Sequence, residues 1–137
     1  MKRVDGWREA LDQAVFEMRR KPFVWGENDC ALGLAGNVTR ALLGTDLSAP
    51  WRGRYSSRIG ALRVLRNDGF EDLADLVATV LPEIHPAQAR IGDLAAVEAD
   101  AMGHALGVFN GERVFVLRED GWGTVDRAQA RRAFKVG

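Results

Sequence analysis

Apolar positions in the first eighty residues recur every three or four places, the spacing that gathers side chains on one face of an α-helix. Trp7, Leu11, Ala14, Val15 and Met18 form the first stripe. Asp5 stands where a carboxylate can accept hydrogen bonds from first-turn amides. Arg19, Arg20 and Lys21 suit the negative end of the helix dipole, and Pro22 stops the helix. A second stripe, Ala31, Leu34, Ala35, Val38, Ala41 and Leu42, begins at Asn28 or Asp29 and ends at Gly44. Pro50 and Gly53 mark residues 45–55 as loop. A third helix is expected from Ser56 or Ser57 through Ile59, Leu62, Leu65 and Arg66. A fourth carries Leu73, Leu76, Val77, Val80 and Leu81 before Pro82.

After Pro86 the chain breaks into short strand-like runs at 92–98, 104–109, 113–118 and 131–136, and residues 120–125 read as a second turn entering a short strand. Asn110-Gly111 reads as a hairpin turn, since both residue types tolerate positive φ. Helices first and strands afterwards predict an α+β domain, with N-terminal helices packed on a C-terminal, mostly antiparallel sheet. The expectation is a single domain over 1–137, helical over about 5–82 and sheet over about 90–136.

Charge and composition narrow the function classes. Nineteen basic and nineteen acidic residues cancel, which gives no electrostatic case for nucleic acid. One cysteine excludes an internal disulfide framework, and with two histidines it makes neither a metal nor a cofactor site an expectation. Charges run through the apolar positions of residues 1–18, which fits neither a signal peptide nor a membrane-inserted segment. Synthesis in the cytoplasm follows as an expectation.

The cysteine, Cys30, falls at the start of the second helix, where unpaired amides and the dipole can stabilise a thiolate. Asp29 works against this by charge unless it is turned aside as an N-cap. A lone cysteine in a small domain is more often an inert core residue than a nucleophile. Nucleophilic chemistry also needs a base, ordinarily an oriented histidine. His104 opens a predicted strand and is the better candidate; His85 lies between Ile84 and Pro86 in a loop.

Three runs in order, "FVWGENDCALGLA", "ARIGDLAAV" and "HALGVFNG", resemble the NlpC-type cell-wall peptidases, a compact branch of the papain-like cysteine peptidases. The match spans residues 22 to 118. A closer resemblance, over nearly the whole chain, is to an uncharacterised phage and prophage tail-protein family. It is carried by Trp25 to Leu32, Gly92-Asp93, Leu106 to Gly111 and Ala130 to Val136. The resemblance implies a papain-like NlpC-type fold, Cys30 as nucleophile and His104 as general base. It further implies peptidoglycan stem peptides as substrate, cut through a thioester, with the Cys30 amide as an oxyanion donor. Asn28 and Asp29 would support the site, and Phe23, Trp25 and Trp51 would line a cleft. Partners would be other tail or baseplate proteins, and the final location a virion tail tip. The rival expectation is a structural tail subunit that keeps only the fold. A third is an intracellular amidase or acyltransferase acting on a small substrate.

The chain departs from the peptidase pattern at three places. Phe23 stands where a tyrosine is usual. The position about twelve after the histidine, normally polar, is Val116. The usual His-x-Gly is His104-Ala105-Leu106-Gly107, so strand alternation places either His104 or Ala105 toward the cysteine, depending on register or on a bulge near Gly103. Finally, five arginines and no acid lie between Trp51 and Arg66, which reads either as an anionic-partner surface or as a solvated face.

Overall fold

The computed structural model describes residues 1–100 and 102–137. Helix α1 spans Trp7–Met18 and buries Leu11 and Met18. Its N-cap is Gly6, at φ 76°, with no side-chain cap, so Asp5 does not take the capping role the sequence offered it. The second helix begins with a π-helical segment, Cys30–Ala35, that continues as α2, Gly36–Leu43, and ends at Gly44 in the left-handed region. The widened turn shows in the hydrogen bond from the Leu34 amide to the Asp29 carbonyl, five residues back. Helix α3 is Arg58–Asn67, capped by Ser57, whose hydroxyl accepts from the Gly60 amide at 3.0 Å. Helix α4 is Leu73–Ala78; Val80 and Leu81 lie beyond it, and Leu81 is still buried.

Among the described residues, six strands form one sheet in the order β1-β6-β2-β3-β4-β5, with every pairing antiparallel. They are β1 (Glu83–Ile84), β2 (Leu94–Glu98), β3 (His104–Asn110), β4 (Arg113–Arg118), β5 (Gly121–Asp126) and β6 (Ala130–Phe134). Strand β1 has only two residues and no periodicity to announce it; its pairing with β6 defines it. The β3–β4 turn is Gly111-Glu112, one residue later than the Asn110-Gly111 signal, because Asn110 pairs with Arg113 and stays in the strand. Gly111, at φ 71°, supplies the positive φ alone.

Alternation along the strands splits the core into two layers. Leu94, Ala96, Leu106, Val108 and Phe134 pack against Leu34, Val38, Leu65 and Leu73 of the helical half. Ala95, Val97, Phe109, Val114, Val116 and Ala133 form a second layer on the opposite face. The Gly92-Asp93 motif joins the chain ends. Buried Asp93 pairs with buried Arg3 at 3.1 Å and also accepts from the Val136 and Arg90 amides, while Arg3 donates to the Val136 and Ile91 carbonyls.

Candidate active site

Asp29 organises the cysteine end through hydrogen bonds close in sequence and one from farther away. Its backbone is extended, and Oδ1 accepts from the Ala31 and Leu32 amides at 3.0 and 2.7 Å, which caps the π-helical segment. Oδ2 accepts from the Gly26 amide at 2.9 Å and from the Tyr55 hydroxyl at 2.6 Å. Gly26 sits at φ 84°, and a Cβ there would run into the Tyr55 carbonyl, so only glycine allows this approach. Four donors thus hold a carboxylate that is itself 1% exposed.

The Ala31 and Leu32 amides of the cysteine segment therefore satisfy Asp29. Cys30 is 5% exposed, and its thiol is pushed up to about 12, first by burial and second by the Asp29 charge. Backbone hydrogen bonds from Leu106, on β3, and from Cys30 itself oppose this more weakly. The resting state is a neutral thiol, opposite to the activated thiolate that a bare helix N-terminus would give.

His104, the first residue of β3, pairs across the sheet with Glu98, and the β2–β3 register runs without a shift from there to Leu94↔Val108. It shares strand parity with Leu106 and Val108, which face the helices, while Gly107 and Phe109 take the other parity. No bulge is needed to turn His104 toward the helical side, and Ala105 takes the alternate parity. Val116 lies in the opposite layer and cannot reach the imidazole.

The polar partner comes from another element. His104 Nδ1 is 2.9 Å from both Asp72 carboxylate oxygens. Asp72 is the N-cap of α4, and its Oδ1 also accepts from the Ala74 amide at 2.8 Å. An ionised carboxylate only accepts, so Nδ1 carries the proton and Nε2 is left as the basic nitrogen. The Leu73 amide bonds to the Met102 carbonyl, which fixes the start of α4 against the β2–β3 turn. Gly103, at φ 75°, completes the fit: a Cβ there would lie 2.9 Å from the Asp72 carboxyl carbon.

Cys30, His104, Phe23 and Trp25 line one open cleft of about 400 Å³. Phe23 and Trp25 meet edge to face, with ring centroids 5.0 Å apart. The other expected site residues are placed differently. Asn28 is buried, and its amide donates to the Pro22 carbonyl at 3.0 Å, which ties the chain before the cysteine. Trp51 lines a neighbouring apolar pocket that Cys30 also lines, and its indole donates to Asp68 at 2.9 Å. His85 caps a short turn, its Nδ1 accepting from the Ala87 amide.

The arginine run is partly consumed by acids flanking it. Arg52 pairs with Asp46 at 2.7 Å and also bonds the Leu32 carbonyl, and Arg54 grips Asp68 with both terminal nitrogens. Two residues of this site carry no signal of their role in the sequence patterns. Tyr55 sits in a loop 26 residues from its partner Asp29. Asp72 announces itself as a cap before an apolar run, but not as the partner of a histidine 32 residues on.

A family model described as a domain of unknown function (DUF6950) matches residues 2–136. The chain belongs to this family. No curated protein sequence matches it. Among solved structures, this DUF6950 domain is similar to the NlpC/p60 domain of the peptidoglycan hydrolase SagA. The superposition has a TM-score of 0.56 at 16% identity and covers 96% of this chain and 99% of that one. The DUF6950 domain thus has the α+β NlpC/p60 fold, as the motif order in the sequence led us to expect.

Proposed function

We propose that this domain is a peptidoglycan hydrolase-like cysteine peptidase of a phage or prophage tail tip, with Cys30 as nucleophile and His104 as base. The observation that carries this reading is the Asp72–His104 hydrogen bond, on the sheet face toward Cys30, at a cleft that both Cys30 and His104 line. It gives the imidazole a defined tautomer and leaves Nε2 as the proton acceptor, the arrangement a nucleophile's base requires. Because the resting thiol is neutral, its proton passes to Nε2 as sulfur attacks the scissile carbonyl. The imidazolium then protonates the leaving amine, and water resolves the thioester by the reverse use of the same groups. The fold shared with the NlpC/p60 domain of the peptidoglycan hydrolase SagA supports peptidoglycan as the substrate class, and stem peptides and the tail-tip placement rest on the resemblance of the motifs.

The test is digestion of purified muropeptides with mass-spectrometric readout. Wild-type protein cleaves a stem peptide bond, and Cys30→Ser and His104→Ala each abolish cleavage while retaining the thermal unfolding profile. Absence of cleavage by the wild type overturns the peptidase reading. The near-complete burial of Cys30 and its raised pKa favour a second reading, a structural tail subunit that keeps the fold without the chemistry. Stoichiometric presence in purified virions without cleavage is the outcome that reading predicts.

A further inference from the structure

Behind the cleft lies an apolar cavity of about 80 Å³, between the π-helical segment, the 45–55 loop and helices α3 and α4. Ala35, Ala61, Leu65 and Leu73 contribute to its walls. Three residues, Trp25, Cys30 and Met102, line both this cavity and the open cleft. Cys30 therefore stands where the open cleft meets a second, almost wholly apolar pocket. Side chains in well-packed cores leave few such spaces, and voids of this size lose contacts that a bound group would restore.

We propose that this cavity is an acyl-side pocket of the Cys30 site, taking one short aliphatic group of the donor whose carbonyl sits at the sulfur. The assignment rests on the reading of Cys30 as nucleophile and adds the class of substituent it prefers. Size and lining choose the occupant. The volume is roughly half that of a dry cavity of about 150 Å³ that admits benzene, so the space suits a group of three or four carbons. The small side chains of Ala35 and Ala61 leave that room. In the covalent step, Cys30 Sγ bonds the acyl carbon, its proton goes to His104 Nε2 and then to the departing amine, and the aliphatic group stays in the cavity through the thioester.

Methyl, propyl and pentyl methanethiosulfonates test the pocket without requiring peptidase activity. The thiolate attacks the sulfenyl sulfur, the sulfur–sulfonyl bond breaks, methanesulfinate leaves with the electron pair, and the alkyl chain remains on Cys30 as a mixed disulfide. Cys30 is the chain's only cysteine, so the mass shift reports that site alone. The rate ratio of propyl to methyl should favour propyl by about four-fold per added methylene, the equivalent of burying each one. Ala61→Leu, which fills the cavity, should lower that ratio about ten-fold. Leu65→Ala, which enlarges it, should move the optimum to pentyl. Rates that fall monotonically with chain length, with the same ratios in all three proteins, overturn the assignment; either variant alone suffices if the other fails to fold. Chain-length selectivity without muropeptide cleavage overturns the peptidase reading alone. Cleavage without selectivity overturns the pocket alone.

Discussion

Asp29 and Asp72 are both aspartates at helix N-caps beside the candidate chemistry, and their carboxylates face different partners. Asp29 is buried and spends its lone pairs on three nearby backbone amides and the Tyr55 hydroxyl. It shapes the seat of Cys30 and adds its charge to burial, the larger cause, in favouring the neutral thiol. Asp72 is partly exposed, caps α4 with one oxygen and presents both to His104. The same residue type in the same local motif is structural at one end of the site and positioning at the other. What separates them is which strand the fold lays against each cap.

Exchanging the carboxylates tests this contrast most sharply in activity. Asp72→Asn keeps an oxygen for the cap but reverses the preferred imidazole tautomer. Muropeptide cleavage should fall by about 10²–10⁴-fold, while stability changes by about 1 kcal/mol or less. Kinetics paired with a urea melt check both halves, and an equal fall in stability would erase the distinction. Asp29→Ala should do the converse. It orphans several buried donors at once and should cost about 3–5 kcal/mol of unfolding free energy, read as a lower urea midpoint.

Tyr55→Phe removes one charge-assisted hydrogen bond and leaves the amides in place. The expected loss is about 1.5–3 kcal/mol, again by urea melt. A loss as large as that of Asp29→Ala would mean that the loop, rather than the cap, holds the cysteine segment. The smallest effect is a pH dependence. Cys30 is raised from 9.0 to about 12 in the fold, so the native state holds its proton more tightly than the unfolded chain. That contribution is complete below pH 9 and is lost as pH rises toward 12. Between pH 8 and 10 the wild type should lose stability relative to Cys30→Ala, by an amount on the order of 1 kcal/mol, read as the difference between urea midpoints. The same sign predicts slow alkylation by iodoacetamide at neutral pH; labelling faster than a free thiol would contradict a neutral resting state.

Much of this was legible before the fold. The stripes of α1 and α2, the Ser57 cap of α3 and the strands from Leu94 onward follow from side-chain period and capping chemistry, which act within a few residues. Asp29 before Cys30 was readable as a cap for the same reason. Where two local options were nearly equal, the sequence missed: Gly6 rather than Asp5 begins α1, and Gly111-Glu112 rather than Asn110-Gly111 makes the hairpin turn.

The chain by itself therefore determined its helix-then-sheet order and the placement of Cys30 at a helix start, because those depend on neighbours in sequence. Only the tertiary structure decided that His104 shares the helix-facing side, that Asp72 rather than the residue at 116 holds it, and that Tyr55 closes the Asp29 cage. Those contacts span 26 to 32 residues and pair polar groups that carry no period, so they exist only once α4 docks on the β2–β3 turn and the 45–55 loop folds over the cysteine segment.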